Sequence, residues 1–286
     1  MMEIRTQDKM IETNGIKLHI VQKGDSESPL VLLLHGFPEF WYGWRQQIDF
    51  LAGMGFRVVV PDQRGYNLSD KPKGIDAYHI DNLTLDIIGL IDALKYKKAT
   101  IIGHDWGGMI AWQLAIKYPE RLEKLIILNI PHPKVMKKTL LTSWRQKRKS
   151  WYIFFFQIPG FPELILSRIN FALLRKGLIK SSRRGTFSET DLKQYQEAWS
   201  KKNALRSMIN WYRAAFRTIF EKSVKSYIDI PTLLIWGMKD FALISDMAQP
   251  SIDLCRKGRL VFIEEASHWV QHEEPDRVNS LIKDYL

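Results

Sequence analysis

The chain has 286 residues, of which 45% are hydrophobic and 26% charged. This length accommodates one large α/β domain or two smaller ones, and the apolar fraction supports a sizeable core. The single cysteine, Cys255, excludes an internal disulfide and a multi-cysteine metal site, so the chain fits a reducing compartment and we expect the cytoplasm. Residues 1–15 are charged, and the longest apolar stretches, 30–34 and 151–156, are too short to span a bilayer. We therefore expect neither secretion nor membrane insertion.

The net charge of +11 is unevenly distributed along the chain. Residues 132–225 carry 21 Lys and Arg against 5 Asp and Glu, whereas the remainder has an excess of acidic residues. A basic surface of this kind suits nucleic acid or an acidic membrane surface. Because the basic stretch contains no nucleic-acid-binding motif, we expect a solvated face and no nucleic-acid partner.

The first predicted elements are the two strands of a hairpin. Residues 10–24 hold two alternating runs on either side of Asn14-Gly15, a pair that favours the positive φ angles of a tight hairpin turn. Six continuous apolar runs follow, and runs rich in Val, Ile and Leu without alternation are typical of parallel strands buried on both faces. They are PLVLLLHG (29–36), FRVVVPD (56–62), ATIIGHD (99–105), LIILNI (125–130), PTLLIWG (231–237) and RLVFIEEA (259–266).

Helical patterns lie between these runs, at residues 39–54, 82–95, 106–118 and 274–286. This alternation of strand and helix predicts the α/β class, with a doubly wound, mostly parallel sheet of about eight strands. Between the fourth and fifth of the continuous runs, a long segment contains several helical patterns and no strand-like run.

An insertion between two strands that return to the same sheet is typical of a lid. We therefore predict a helical cap at residues 132–225, inserted between the sixth and seventh strands. The core domain then comprises residues 1–131 and 226–286.

The motif GHDWGG at residues 103–108 ends one predicted strand and opens a helix. Its spacing is that of a nucleophile elbow, a sharp turn that presents its central side chain, although the usual Ser is replaced here by Asp105. Asp is also a favoured helix N-cap, which is the plain structural alternative. Because a cap needs no flanking glycines and an elbow does, the motif favours a nucleophile. The helix N-terminus also favours the ionised carboxylate that a nucleophile requires.

The tetrapeptide HGFP at residues 35–38 follows the first continuous run. There the backbone N–H of Phe37 points to the same place as the N–H of Trp106, which gives an oxyanion hole with two donors. Pro38 fixes the turn and is compatible with a cis peptide bond. The motif is weak alone, and the elbow further along the chain makes it specific.

Seven histidines compete for the role of general base. His268 follows the last apolar run, where side chains at the carboxyl ends of parallel strands gather, and His272 is its nearby competitor. Asp240 follows the preceding strand and can hold the imidazole by its other nitrogen; the order nucleophile, acid, base is that of α/β-hydrolases. The plain alternatives are a turn residue for Asp240 and a surface histidine for His268.

The predicted cap contributes two tyrosines. Tyr212 lies on the apolar stripe of a predicted helix, so its hydroxyl faces inward and needs a partner. Tyr152 is likewise a lone phenol in the aromatic segment SWYIFFFQIPGFPE. Each alone suits a core tyrosine bonded to backbone, whereas the two together above an aspartate form a pair of acids for a small oxygen. The stripe comprises Leu205, Met208, Ile209, Tyr212, Phe216, Ile219 and Phe220.

With these residues assembled, the chain resembles the epoxide hydrolases of the α/β-hydrolase fold, especially the bacterial soluble group. The resemblance is carried by HGFPEFWYGWR, PDQRGYNLSDKP, GHDWGG, FQIPGFPE, NWYR, GMKD and SHW, and so covers nearly the whole length. It implies that Asp105 is the nucleophile, His268 the base and Asp240 its orienting acid. It further implies ring-opening donors at Tyr152 and Tyr212, an oxyanion hole at Phe37 and Trp106, and substrate contacts at His35, Pro38, Trp106, Phe155 and Trp269.

A carboxylate nucleophile indicates alkyl transfer. A serine that attacks acyl carbon gives an acyl-enzyme, whereas a carboxylate that displaces oxygen from saturated carbon gives an alkyl ester, which activated water cleaves at its carbonyl. We therefore expect lipophilic epoxides and water as reactants and vicinal diols as products, with no cofactor and no metal. We also expect a monomer or a homodimer.

Other classes of protein share parts of this pattern. Haloalkane dehalogenases have the Asp elbow and the adjacent Trp, but many carry Asn in place of Phe37, and some place the triad acid where this chain has Asn129. Fluoroacetate dehalogenases carry Arg just after the nucleophile, where this chain has Trp106. The third candidate is a non-catalytic ligand receptor on the same fold, which the complete set of nucleophile, acid and base disfavours.

Overall fold

The computed structural model describes residues 6–218 and 227–286, and its centre is an eight-stranded sheet. The strands are β1 (Gln7–Thr13), β2 (Ile16–Lys23), β3 (Leu30–Leu34), β4 (Arg57–Pro61), β5 (Ala99–His104), β6 (Leu122–Leu128), β7 (Thr232–Gly237) and β8 (Gly258–Ile263). Across the sheet they lie in the order β1-β2-β4-β3-β5-β6-β7-β8. β2 pairs antiparallel with β1 and with β4, and all other neighbours are parallel. This confirms the predicted mostly parallel sheet of eight strands.

The β1–β2 hairpin turns at Asn14 and Gly15, whose φ angles are 45° and 73°. Thr13 pairs with Ile16, so Asn14 and Gly15 alone form the loop. This is the turn that the Asn-Gly pair predicts, because both central residues need positive φ.

Helices cover both faces of the sheet, and alternate residues of β3 show why its apolar run is continuous. Val31 and Leu33 join one buried cluster, with the helices at residues 45–53 and 275–285, whereas Leu32 joins the other, with the helices at residues 80–93 and 106–117. In the part of the chain that the structure describes, no helix has the length and apolarity needed to cross a bilayer. The helices are α1 (Arg45–Gly53), α2 (Ile80–Ala93), α3 (Trp106–Lys117), α4 (Pro133–Thr142), α5 (Trp144–Lys149), α6 (Trp151–Phe155), α7 (Phe161–Ser181), α8 (Glu189–Ser200), α9 (Ala204–Thr218), α10 (Ala248–Ile252), α11 (Val270–Glu273) and α12 (Pro275–Tyr285).

Several element boundaries differ from the sequence patterns, and one helix is interrupted. The predicted helix at residues 39–54 starts with a 3-10 turn at Trp41–Trp44, and α1 begins at Arg45. β6 begins at Leu122, before the apolar run that predicts it. The run misses this start because Glu and Lys follow Leu122. Helix α7 is interrupted at residues 168–171, where three consecutive residues have φ angles of 50° to 59°.

Helices α4 to α9 form the insertion between β6 and β7, where the cap is predicted. They are tied to the core by hydrogen bonds, such as that from the Trp199 indole N–H to the Pro38 carbonyl at 2.6 Å. Buried side chains of the insertion, Met208 among them, belong to the same apolar cluster as Leu32 of the sheet. The division into two domains therefore stays a prediction. Its boundary at 225/226 lies outside the described residues, as do Ile219 and Phe220 of the predicted stripe.

Candidate active site

Asp105 lies in a strained turn where β5 ends and α3 begins. Its φ and ψ angles are 50° and −122°, a conformation that residues with a side chain seldom adopt. Its carbonyl oxygen accepts a hydrogen bond from the Met109 N–H at 3.0 Å and so starts the helix. Within the described chain, its carboxylate makes no capping hydrogen bond to α3. The turn therefore presents the carboxylate as an elbow does, and the helix-cap alternative does not account for it.

The glycines around the elbow are required by close packing of the backbone. A Cβ atom on Gly107 would lie 2.1 Å from the carbonyl oxygen of Leu34, and one on Gly103 would lie 2.6 Å from the carbonyl oxygen of Gly107. A Cβ atom on Gly36 would lie 2.4 Å from Oδ1 of Asp105. A side chain fits at none of these positions, so the glycines hold the elbow and the HGFP loop in direct contact.

The two oxygens of the Asp105 carboxylate have different partners. The backbone N–H of Phe37 donates to Oδ1 at 2.9 Å, whereas Oδ2 lies 3.6 Å from Nε2 of His268. One oxygen is therefore held at the predicted oxyanion hole while the other faces the predicted base. The contribution of the Trp106 N–H to that hole stays a prediction.

Asp240 holds His268 by the ring nitrogen that faces away from Asp105. Oδ2 of Asp240 lies 2.7 Å from Nδ1 of His268. Its other oxygen accepts hydrogen bonds from the backbone N–H groups of Ala242 at 2.7 Å and Leu243 at 2.9 Å. The structure thus brings the predicted nucleophile, base and acid into one line, with a hydrogen bond between Asp240 and His268 and an ion-pair contact between His268 and Asp105.

Asn129, at the end of β6, is a further site residue that sequence reasoning leaves without a role. Its amide Nδ2 donates to Oδ2 of Asp240 at 2.8 Å, and its Oδ1 accepts from the Gly237 N–H at 2.9 Å. The residue therefore fixes the acid that follows the neighbouring strand. Its place at a strand end was a usable signal, but its partner lies 111 residues away in sequence.

The charges around His268 favour its imidazolium form. Burial lowers the pKa of His268, but the carboxylates of Asp240 and Asp105 outweigh burial and raise this pKa to about 10. Burial likewise raises the pKa of Asp105, yet the hydrogen bond and charge of His268 hold it below its ordinary value. At neutral pH, the resting site therefore holds a protonated histidine between two carboxylates.

Tyr152 of α6 and Tyr212 of α9 face Asp105 from the cap. Their ring centroids are 5.9 Å apart, and the Tyr212 ring also packs edge-on against Trp106 at 5.0 Å and Phe37 at 5.3 Å. Burial raises the pKa of both hydroxyls, and the negative charge of Asp105 raises it further. Both tyrosines are therefore protonated at neutral pH, as hydrogen-bond donors must be.

A cavity of about 720 Å³ lies between the core and the cap. Helix α3 lines it from Trp106 to Lys117, so the cavity extends about 16 Å along that helix. Asp105, Tyr152 and Tyr212 line it, and Trp106 does so as predicted for a substrate contact. The apolar part of the remaining wall is the larger, and comprises Ile80, Met109, Ile116, Ile130, Pro133, Met136, Leu140, Ile153, Ala215, Phe216 and Leu243. The polar lining residues are His79, Asp81, Gln113, Lys117, Lys134, Lys137 and Thr218.

His35 and Pro38 are absent from the described cavity wall, and their roles as substrate contacts stay predictions. His35 is fully buried, and its Nε2 accepts a hydrogen bond from the Gln63 N–H at 3.1 Å. Pro38 is buried under the cap and follows the Phe37–Pro38 peptide, which is cis. Both residues shape the HGFP loop from behind instead of facing the cavity.

Phe155 and Trp269 likewise do not belong to the described wall, and their roles as substrate contacts stay predictions. Phe155, three residues after Tyr152 on α6, is half-buried and packs against the apolar cluster, with its ring 5.9 Å from that of Phe156. Trp269 is buried behind the base, with its ring edge-on to His268 at 5.1 Å. It supports the imidazole and does not meet the cavity.

Glu39 is a buried carboxylate behind the triad to which sequence reasoning assigns no role. It accepts a hydrogen bond from the Tyr195 hydroxyl at 2.8 Å and lies 2.6 Å from Nε2 of His272 and 3.2 Å from Nδ1 of His104. Burial raises the pKa of Glu39, but these two histidines hold it well below its ordinary value. His104 in turn lies 2.8 Å from the carbonyl oxygen of His268 through Nε2. The cluster thus supports the base from behind and engages His272, its competitor.

The Glu39 cluster does not form a metal site. Across residues 6–218 and 227–286, no group of three or more His, Cys, Asp or Glu side chains is placed to hold a metal ion.

The fold and the elbow together define the class of protein. A family model described as alpha/beta hydrolase fold matches residues 29–275. The chain therefore belongs to the α/β-hydrolase-fold family.

Individual relatives are more specific. The chain is 50% identical over 279 residues to the AB hydrolase superfamily protein YfhM of Bacillus subtilis (strain 168), with 97% of each chain covered. It is 43% identical over 282 residues to Epoxide hydrolase 4 of Homo sapiens, covering 96% of this chain and 77% of that one. The crystal structure of Bacillus megaterium epoxide hydrolase in complex with an inhibitor matches with a TM-score of 0.89 and 35% identity, over 97% and 99% of the two chains. Within the α/β-hydrolase fold, the chain thus belongs to the epoxide hydrolase family.

Proposed function

We propose that the protein hydrolyses lipophilic epoxides to vicinal diols through a covalent alkyl ester on Asp105. The observation that carries the proposal is the meeting of one free carboxylate oxygen and two phenols, Tyr152 and Tyr212, in a single largely apolar cavity. The names of the relatives support the same reaction class. Ring opening needs a nucleophile for carbon and an acid for oxygen, and these side chains supply both.

In the first step, Oδ2 of Asp105 attacks a ring carbon of the epoxide. A new C–O bond forms to the aspartate as the ring C–O bond breaks, and the electron pair moves to the ring oxygen. Tyr152 and Tyr212 stabilise that oxygen by hydrogen bonding and protonate it. Because the Phe37 N–H already holds Oδ1, the other oxygen is the one left to react.

Ester formation also prepares the base for the second step. The attack removes the negative charge of Asp105, one of the two carboxylates that raise the pKa of His268. The imidazolium then gives up the proton that replaces the one lost from the tyrosines. Neutral His268, still held by Asp240, becomes able to accept a proton from water.

In the second step, water activated by His268 attacks the ester carbonyl carbon. The negative charge develops on Oδ1, where the Phe37 N–H and the predicted Trp106 donor stabilise it. Collapse of this intermediate breaks the bond between the Asp105 carbonyl carbon and Oδ2. The diol leaves with Oδ2, and the site returns to its carboxylate and imidazolium.

A second candidate reaction is haloalkane dehalogenation, which the Trp106 side chain in the cavity wall favours. The test is a panel of epoxides that includes styrene oxide, run beside a panel of haloalkanes. We expect diol from the epoxides and no halide from the haloalkanes. Halide release with no diol would establish the dehalogenase, and ligand-induced stabilisation without either product would establish a receptor.

The covalent route has its own test, a single turnover in water labelled with heavy oxygen. The first diol formed should carry an unlabelled new oxygen, because that oxygen comes from Asp105. Label in the diol of the first turnover would mean that water attacks the epoxide directly.

A further inference from the structure

We propose that the outer side of the cap docks on the surface of a bilayer that contains anionic lipids. The structure places a docking face there, on helices α4 to α6. It comprises Leu141, Trp144, Lys147, Arg148, Trp151 and Phe154.

Large apolar side chains are exposed on this face. Trp144 is 73% exposed, Trp151 62% and Phe154 57%. Single exposed apolar residues are ordinary on protein surfaces, but a group of large ones along neighbouring helices marks an interaction site. Tryptophan in particular is enriched at the level of lipid headgroups, because its ring is apolar and its N–H is polar.

The helices place these aromatic residues and the basic ones on one stripe. Helix α5 continues almost directly into α6, since the Ser150 N–H donates to the Gln146 carbonyl at 2.9 Å and the Ile153 N–H donates to the Ser150 carbonyl at 3.0 Å. Residues 144, 148 and 151 are therefore spaced four and three apart on nearly the same face. Aromatic and cationic side chains alternate along it, as in helices that lie in a membrane interface.

The charge of this region fits an anionic surface. Residues 132–162 contain no Asp or Glu, and residues 134–149 contain seven Lys and Arg. Arg145 pairs with Asp246 at 2.9 Å, and Lys149 donates to the Asp240 carbonyl at 2.7 Å. Among the described residues, Lys147 and Arg148 have no acidic partner, so their charges remain available.

Helices α4 and α6 also contribute to the cavity wall. Met136 and Leu140 of α4 and Ile153 of α6 belong to its wall. A bilayer seated on the docking face would thus lie one helix thickness from the cavity. Lipophilic compounds concentrate in bilayers, because apolar surface leaves water favourably. Docking would therefore bring the cavity to where such compounds accumulate.

Two other partners fit the face less well. A second copy of the chain would bring two basic faces together without acidic residues to neutralise them. A nucleic acid would use the positive charges, but it would not bury Leu141 and the outward side of Phe154, whereas a bilayer uses both kinds of side chain.

The experiment is co-sedimentation of the full chain with vesicles. One set is phosphatidylcholine, and the other is an equimolar mixture of phosphatidylglycerol and phosphatidylcholine. We expect binding to the mixed vesicles alone, weakened by added salt. The double variant Lys147→Gln, Arg148→Gln should bind them at least about tenfold more weakly, because each basic residue near an anionic surface contributes about fivefold.

Two further variants complete the design. Trp144→Ala with Trp151→Ala should also weaken binding at least about tenfold. The matched control is Lys201→Gln with Lys202→Gln, which removes two exposed charges elsewhere on the cap and should bind as the unmodified chain does. Turnover of a water-dissolved epoxide and the thermal midpoint should be unchanged in all variants, which separates loss of docking from loss of the fold or of activity.

Four outcomes would overturn the proposal. The first is that the unmodified chain binds neither kind of vesicle, and the second is that the Lys201/Lys202 control loses as much vesicle binding as the Lys147/Arg148 variant. The third is that the tryptophan variant binds vesicles as well as the unmodified chain does, while a DNA duplex binds the unmodified chain as tightly as the vesicles do. The fourth is a dimer in light scattering that the tryptophan variant dissociates. Since none of these readings uses epoxide hydrolysis, failure here leaves the proposed reaction untouched.

Discussion

The proposed nucleophile, Asp105, and the two tyrosines that face it are positioned by different means. On the core side the backbone sets the geometry, because the elbow packs on Gly36 and Gly107 with no room for a Cβ, and a backbone N–H holds Asp105. On the cap side, ring contacts and helix packing locate Tyr152 and Tyr212. The core side is therefore over-determined, whereas the cap side depends on the side chains that fill it.

This difference suggests a division of labour between the two sides of the cavity. A change on the core side moves the proposed reacting oxygen itself, since Phe37 holds Asp105 directly and Asp240 holds His268 beside it. A change on the cap side alters the wall and the acids while leaving the nucleophile in place. Four experiments test the contrast, in order of expected effect.

The largest effect should follow Asp105→Ala. Without the carboxylate no ester can form, and turnover should fall by about 10⁴-fold or more. The measurement is steady-state diol formation, with folding checked by circular dichroism. Appreciable residual turnover would show that water opens the epoxide directly.

Replacing Tyr152 and Tyr212 together by Phe should slow ring opening by about 10² to 10⁴-fold, because the departing oxygen then has no acid. Ester cleavage should change much less, since the nucleophile, base and acid are intact. Rapid-quench single turnovers separate the two rates. Tyr227→Phe, an exposed tyrosine, is the matched control. Unchanged epoxide turnover in the double variant would return both tyrosines to a structural role.

Asp105→Asn should lower the pKa of His268 from about 10, because the variant removes one of the two carboxylates that raise it. The imidazole should then lose its proton at lower pH than in the unmodified protein. An NMR titration of His268 measures the change. The control is Asp49→Asn, at an exposed residue of α1, which should leave the pKa of His268 unchanged. An unchanged pKa of His268 in Asp105→Asn would contradict the charge coupling between Asp105 and His268 on which the proposed ester hydrolysis depends.

The smallest effects compare a glycine of each region. Gly107→Ala should destabilise the fold by about 1–3 kcal/mol, because its Cβ meets the Leu34 carbonyl. Gly177→Ala, in a helix of the cap with open space around it, should stabilise the fold by about 0.4–1 kcal/mol. Denaturant unfolding of both variants gives the two values. Equal effects at the two sites would mean that the elbow is no more tightly packed than the cap.

Local sequence patterns were sufficient to predict most of the fold and the proximity of Asp105, His268 and Asp240. Strands buried on both faces leave continuous apolar runs, and the residues that end such runs lie at one edge of the sheet, so Asp105, Asp240 and His268 were found from sequence. The Asn14-Gly15 turn was equally local.

The residues that sequence reasoning missed or misplaced depend on contacts that no local pattern carries. Glu39 meets His272 across 233 positions, and neither residue type signals the other at that distance. Trp269 follows the base directly, yet it packs behind the imidazole.

The hydrogen bond from the Phe37 N–H to Oδ1 makes the two carboxylate oxygens of Asp105 distinguishable by isotope labelling on the proposed route. If that bond keeps the carboxylate from rotating, each cycle hands Oδ2 to the product and refills the same position from water. After many cycles in heavy-oxygen water, the peptide that contains Asp105 should then carry a single heavy oxygen in its carboxylate. The original Oδ1 would outlast every substrate molecule that the protein converts.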